Sequence, residues 1–271
     1  MPIEPMPPVV VGVDGSAESL TALDLAADEA LARVTCLVVI HAFEPTPPSP
    51  AFSRKLTQVR EMVSAAEDRA RAEHPGLAVS SVVIPGDPAE VLLQQAGRAS
   101  LAVLGYRGHD GRHEAETGRV AARVAVRAIQ PVIVCRPFDR PHAGSDPRPV
   151  LVGVDGLVGC DAAVAFAFEE AALRGAPLRA VYVCGSGEQT ARRVLTGALA
   201  VWSAKYPHVE VFRHVCRGGD PAAELIDASH GAQLAIVGRH DRYGLPRRIL
   251  GAAAGRRLDR AGCSVAVVGH R

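Results

Sequence analysis

Charge of one sign is what this 271-residue chain lacks most: 30 Lys and Arg stand against 29 Asp and Glu, a formal net charge of +1. That balance removes the electrostatic case for nucleic acid or an anionic membrane surface as a partner. Lysine itself is scarce, with Lys55 and Lys205 the only two, so the positive charge is nearly all arginine interspersed with acids. Such mixing reads as a coding bias and not as a binding patch. The six cysteines (Cys36, Cys135, Cys160, Cys184, Cys216, Cys263) lie far apart with no C-x-x-C pair. Several sit in apolar, strand-like runs, where Cys behaves as a small hydrophobe. A disulfide framework is therefore not expected, and a reducing compartment fits. No stretch approaches the ~20 apolar residues of a membrane span, and the Pro-rich start lacks the basic and apolar regions of a signal peptide. These absences predict a cytoplasmic protein. Three chemistries are also missing. There is no G-x-x-x-x-G-K-[S/T] loop, and Gly12-Val13-Asp14-Gly15 lacks the dinucleotide spacing. No G-x-S-x-G elbow or paired nucleophile and base is present either, so efficient catalysis is not expected.

What is present is said twice. Val10-Val11-Gly12-Val13-Asp14-Gly15 returns as Leu151-Val152-Gly153-Val154-Asp155-Gly156. Gly86-Asp87-Pro88-Ala89 returns as Gly219-Asp220-Pro221-Ala222, and Leu104-Gly105-Tyr106-Arg107 as Val237-Gly238-Arg239-His240. A spacing of 133 residues joins Gly86 to Gly219, Gly105 to Gly238 and Gly118 to Gly251. A period of that size is a whole domain, so the chain is a tandem duplication. At 48% hydrophobic residues, two separate cores are feasible. The stretch from Pro137 to Arg148 has linker composition. The expected domains are 1–137 and 149–271, joined by a linker over 138–148.

Each half reads as strands alternating with helices. In the first, Pro8–Val13 is an apolar strand ending at the turn and N-cap Asp14-Gly15-Ser16, and a helix carries Leu20, Leu23, Ala26, Ala27, Ala30 and Leu31 on its apolar face. Strands are expected over 35–41, 77–84, 101–104 and 132–135, with helices over 51–74, 89–98 and 120–128. Asp87 and Asp220, each before a Pro, read as helix starters. Continuous apolar strands separated by helices predict a parallel sheet covered on both faces. The fold class is therefore α/β, as two tandem doubly wound, mainly parallel five-stranded sheets of Rossmann-like type. In such sheets ligands bind outside the strand carboxyl ends where the strand order reverses. That directs attention to Asp14-Gly15-Ser16 and to the segment from Gly105 to Gly118.

The second of these segments reads Gly105-Tyr106-Arg107-Gly108-His109-Asp110-Gly111, and Gly118-Arg119-Val120 then opens a helix. Two residues separate Gly105 from Gly108, and nine separate Gly108 from Gly118. This resembles the G-x2-G-x9-G-(S/T) nucleotide loop of the universal stress protein family. The Gly-Val-Asp-Gly-Ser start, the Gly-Asp-Pro-Ala turn and the closing strand Pro131-Val132-Ile133-Val134 match the same family in order. The resemblance spans both halves and is that of a tandem universal stress protein, whose fold is a HUP-like nucleotide-binding domain. It implies ATP or a related adenine nucleotide as ligand, with Mg²⁺ as a companion ion. It also implies pairing of the last strand of each domain with a counterpart, giving a homodimer or a pseudo-dimer within the chain. By position, the base and ribose fall to Gly12, Val13, Asp14, His41 and Ala42. The phosphates fall to Gly105, Arg107, Gly108, Gly111, Gly118, Arg119 and Val120. Glycines let successive N–H groups line one concavity, and a helix start adds unpaired N–H groups to it.

The chain departs from that pattern in both halves. Arg119 stands where the family places Ser or Thr, and a planar guanidinium cannot reproduce a short hydroxyl contact. Asp110, Glu114 and Glu116 put negative charge into the spacer. In the second half the corresponding residues are Gly153, Asp155, Gly238, Arg239, Gly244, Gly251 and Ala252. Asp241 replaces the glycine equivalent to Gly108, and Ala252 replaces the hydroxyl residue. The first half is the expected site and the second a doubtful one. His109, His113 and Asp110 are read as a solvated loop and not as a metal site. The expected function is a stress-response regulator whose nucleotide shifts its shape or its choice of an unidentified protein partner. The alternatives are a scaffold with decayed loops and a weak ATPase.

Overall fold

The computed structural model describes residues 6–44, 50–106, 117–136, 148–156, 160–184, 187–217, 219–239 and 261–269. It divides into two units, Met1–Arg136 and Pro137–Arg271. Most of the expected linker lies outside the described residues.

The first unit contains β1 (Val9–Gly12), α1 (Ala17–Ala32), β2 (Leu37–Phe43), α2 (Pro50–Glu73), β3 (Val79–Pro85), α3 (Pro88–Ala96), β4 (Leu101–Gly105), α4 (Thr117–Arg127) and β5 (Val132–Cys135). Its strand order is β3-β2-β1-β4-β5, and all four pairings are parallel. The apolar runs explain this, because both sheet faces are covered: Val9, Val11, Leu37, Val39, Ile40, Leu101 and Val103 have no exposed surface. The chain steps outward from β1 to β3, then returns to place β4 on the other side of β1. Right-handed crossovers therefore put α1 and α2 on one face and α3 and α4 on the other, matching the contacts of α1 with α2 and α3 with α4. The order reverses between β1 and β4.

The second unit repeats this plan with β6 (Val150–Gly153), α5 (Cys160–Leu173), β7 (Leu178–Cys184), α6 (Glu188–Lys205), β8 (Val211–Arg217), α7 (Pro221–Ser229), β9 (Leu234–Gly238) and β10 (Ser264–Val268). Its order is β8-β7-β6-β9-β10, again all parallel. Asp87 and Asp220 do cap α3 and α7, accepting from Glu90 N at 3.0 Å and Ala222 N at 3.3 Å. No helix among the described residues is long and apolar enough to cross a membrane.

Two differences from the sequence reading have physical causes. The second strand begins at Leu37 instead of Thr35, because Thr35 belongs to the end of α1, where its N–H bonds Ala30 O at 2.9 Å. The last helix of the first unit begins at Thr117 instead of Val120, which places Gly118 and Arg119 in its first turn.

The helix ends hold a duplicated feature. Buried Glu29 pairs with Arg33 one turn on, and fully buried Glu170 holds Arg174 through Nε at 3.0 Å and Nη2 at 2.8 Å. Each pair precedes a residue in the left-handed region: Val34 at φ +53° and Gly175 at φ +57°. Both turns close alike, with Val34 N bonding Leu31 O and Gly175 N bonding Ala172 O. Thr35 N to Ala30 O and Ala176 N to Ala171 O complete a Schellman motif in each. Glycine suits that position, whereas a β-branched residue there is strained. Val34 is 89% exposed, so its side chain gains little from packing. Val34→Gly is expected to stabilise the protein by about 1 kcal/mol in denaturant unfolding, the relieved strain exceeding the entropy cost of glycine. Gly175→Val should destabilise it by about 1–2 kcal/mol.

Candidate functional site

Where the strand order of the first unit reverses, the carboxyl ends of β1, β2 and β4 frame a cleft of about 230 Å³. Gly12, Val13 and Asp14 line it from the end of β1, and Ile40, His41 and Ala42 from the neighbouring β2. Leu104 and Gly105 close the β4 end, Pro88 and Leu92 of α3 contribute an apolar wall, and Val120 and Ala121 bring in the start of α4. Of the residues expected from sequence, Gly12, Val13, Asp14, His41, Ala42, Gly105 and Val120 are thus brought together. Gly118 and Arg119 lie in the first turn of α4, whose leading N–H groups have no partner within the helix. Arg107, Gly108 and Gly111 lie outside the described residues.

The loop after β1 is a knot of short hydrogen bonds. The Asp14 Oδ1 accepts from Ser16 N at 3.0 Å and from Ser16 Oγ at 2.6 Å. Ser16 is the N-cap of α1, its Oγ accepting from Ser19 N at 3.1 Å. The Ser19 hydroxyl donates to Ser16 O at 2.9 Å and accepts from Asp14 N at 3.3 Å. Asp14 therefore acts one step before the cap, and its carboxylate is aimed by Ser16 at the rim of the cleft. Beside it, the His41 ring bonds the Val13 carbonyl at 2.7 Å through Nδ1. A carbonyl only accepts, so the Nδ1–H is the donor in this bond.

Gly105 has a packing reason to be glycine. A β-carbon there would stand 3.0 Å from the backbone C and O of Glu18 and 3.1 Å from Ser19 N. The first turn of α1 thus rests directly on the end of β4. A second tether runs from α3 to α4, where Glu90 takes Arg127 at 2.5 Å and Arg123 at 3.1 Å. Arg127 beside it, with Arg123 adding to the effect, holds the Glu90 carboxyl below its usual range. At the β4 and β5 ends, buried Arg136 lies 3.9 Å over the Tyr106 ring.

Sequence reasoning missed Ser19, Ile40, Pro88, Leu92, Leu104 and Ala121. Pro88 carried a signal, since it belongs to the repeated Gly-Asp-Pro-Ala turn. The apolar residues looked like any others of a buried strand or helix face.

The second unit differs at the same places. Val154 N bonds Val181 O at 2.8 Å, as Val13 N bonds Ile40 O at 2.8 Å. The residue equivalent to Ser19 is Cys160, whose thiol is pushed up in pKa by burial, against the opposing pull of backbone hydrogen bonds at Asp155 and Gly156. The residue equivalent to His41 is Tyr182, and its ring lies 3.8 Å from a β-carbon built on Gly156. Val194 of α6 stands closer still, at 2.6 Å. Gly153 ends β6 and Asp155 follows it, and Gly238 ends β9, where Arg239 N bonds Val268 O at 2.8 Å. Gly244, Gly251 and Ala252 lie outside the described residues.

A family model decides the wider relationship. The model of the universal stress protein family matches the chain twice, over residues 6–136 and 147–269. The chain belongs to the universal stress protein family. It is 31% identical over 288 residues to a universal stress protein of Mycolicibacterium smegmatis, covering 97% of each chain. A universal stress protein of Mycobacterium tuberculosis is 32% identical over 286 residues, covering 96% of each. Among solved structures, a universal stress protein from Archaeoglobus fulgidus matches with a TM-score of 0.71 at 18% identity, over 97% of this chain and 96% of that one. At that identity the likeness speaks for the shared fold.

The close approach at Gly105 separates two readings of a retained glycine. Among the described residues nothing lies within 4 Å of a β-carbon on Gly238. Gly105→Ala is expected to cost about 1–3 kcal/mol in thermal or denaturant unfolding, because backbone must move. Gly238→Ala should stay within about 0.5 kcal/mol of the parent protein.

Proposed function

We propose that this universal stress protein is a stress-response regulator whose first unit binds ATP or a related adenine nucleotide. The observation that carries the proposal is the cleft at the strand-order reversal, with Asp14, His41, Ala42 and Gly105 on its rim. Its chemistry suits a nucleoside. Leu92, Leu104, Ile40 and Val13 offer apolar surface to a flat base, while Asp14 offers an acceptor and His41 a polar ring to amino or hydroxyl groups. The first turn of α4 adjoins the same cleft at Val120, and its N–H groups and positive dipole end suit phosphate. Arg107, Gly108, Gly111 and Arg119 extend the phosphate side by their place in the sequence.

Mg²⁺ enters only as the companion of a polyphosphate. Among the described residues no group of three or more His, Cys, Asp or Glu side chains could hold a metal ion. No role is therefore assigned to a protein-held metal. The reading is one of sensing: the nucleotide acts by binding one conformation better than another.

Titration calorimetry of the full chain with ATP and Mg²⁺ tests this. One saturable site per chain is expected, and Gly108→Asp, which copies the second half, should weaken it by at least about tenfold through repulsion of phosphate. Unchanged binding in Gly108→Asp would remove the site from the first loop, and no heat at millimolar ATP would favour the scaffold reading.

A further inference from the structure

The two units part company at one position that neither the nucleotide loop nor the acidic turn explains. Beyond Gly12 the first unit's β1 leaves the sheet, whereas β2 continues to Phe43 alongside β3. The last rung joining β1 to β2 is Val13 N to Ile40 O, at 2.8 Å. In a parallel ladder the next rung would run from Ala42 N to Val13 O. That carbonyl instead accepts the His41 Nδ1–H at 2.7 Å. The imidazole is thus folded back to the end of β1 and held there, among the residues that line the cleft.

The second unit breaks its ladder at the same rung, after Val154 N to Val181 O. There the side chain is Tyr182, which has no ring donor two bonds from its β-carbon and so cannot make the short bond back to Val154 O. Its ring lies instead against Gly156, together with Val194 of α6. At the equivalent glycine of the first unit, Gly15, Met62 of α2 stands 3.4 Å from a β-carbon position among the described residues. The side chain at the end of the second strand thus goes back to the first strand's carbonyl in one half and lies beside the glycine of the turn in the other.

We infer that His41 is a positioning residue that decides which half takes a ligand: the bond to the Val13 carbonyl holds it at the first cleft, and Tyr182 at the same position of the second unit cannot make that bond. This rests on the reading of the first cleft as a nucleotide site. It predicts one nucleotide per chain for a reason independent of the Gly-rich loops. It also predicts which substitution is conservative. Asn carries its amide nitrogen at the same reach as Nδ1 and can donate to Val13 O, whereas Leu has no donor and the Tyr hydroxyl lies too far from the β-carbon to make the same bond.

The test is ATP titration of the full chain carrying His41→Asn, His41→Leu or His41→Tyr, with a thermal melt of each and an NMR measurement of the His41 ring nitrogens in the free wild type. The expected result is a protonated, hydrogen-bonded Nδ1, with Leu and Tyr weakening ATP by at least about tenfold and Asn restoring most of that loss. Tyr or Leu variants that melt normally and bind like wild type would overturn the inference, as would Asn failing as badly as they do. Wild-type binding in those cases leaves the nucleotide reading standing. Should wild type bind no ATP, the nucleotide reading falls and this one falls with it, even with the Nδ1–H bond in place. If the Tyr variant does not fold, the Leu and Asn pair decides.

Discussion

The cleft of the first unit depends on how closely α1 is set down on the end of β4. At Gly105 the first turn of the helix comes within 3.0 Å of where a β-carbon would be. That contact leaves α1 little freedom, and the hydrogen-bond knot of Asp14, Ser16 and Ser19 joins it to β1. Because β1 and β4 are the two strands between which the chain reverses direction, fixing α1 against both also fixes the shape of the gap at their ends. A parallel sheet opens there in any case. What this sequence adds is a rigid acidic turn on one side and a tied-back imidazole on the other.

The duplication, the order of elements and the α/β class were legible because each rests on a strong signal. Apolar runs such as Val9-Val10-Val11 and Leu101-Ala102-Val103 announce buried strands, and Asp-Pro pairs announce helix starts. Element ends were less legible. Thr35 looks like a strand residue by propensity, but the backbone geometry needed to close α1 claims it first. The buried Glu29–Arg33 and Glu170–Arg174 pairs could not be told from surface charges, since i,i+4 spacing of opposite charges is commonplace on exposed helices. Only the packing of α1 and α5 shows that these carboxylates lie inside.

At the site, Gly105 has a reason that the sequence motif does not carry. The motif assigns it to phosphate approach, and the contact with α1 by itself also requires a residue without a β-carbon. Asp14 was weighed as a helix cap, whereas Ser16 caps the helix and Asp14 is oriented by it. His41 gave no warning of its bond to Val13, because the pairing depends on β1 and β2 diverging one residue after Gly12. Comparing the halves is what gives these details meaning. Two copies of one fold keep the strand order, the Asp caps of α3 and α7 and the Schellman turns after α1 and α5, and they differ where Ser19 becomes Cys160 and His41 becomes Tyr182. A duplicated domain in which one copy changes at its strand ends while its core stays intact fits the proposed division of labour, with one half holding a ligand and the other retained for the folded surface it provides.

The most direct test of this asymmetry is to release the small molecules from the purified full chain with denaturant and quantify adenine nucleotides by mass spectrometry, before and after saturation with ATP. The account predicts a limit of one adenine nucleotide per chain. Two per chain would contradict the assignment of the ligand to one half, and none after saturation would contradict the first cleft as its site.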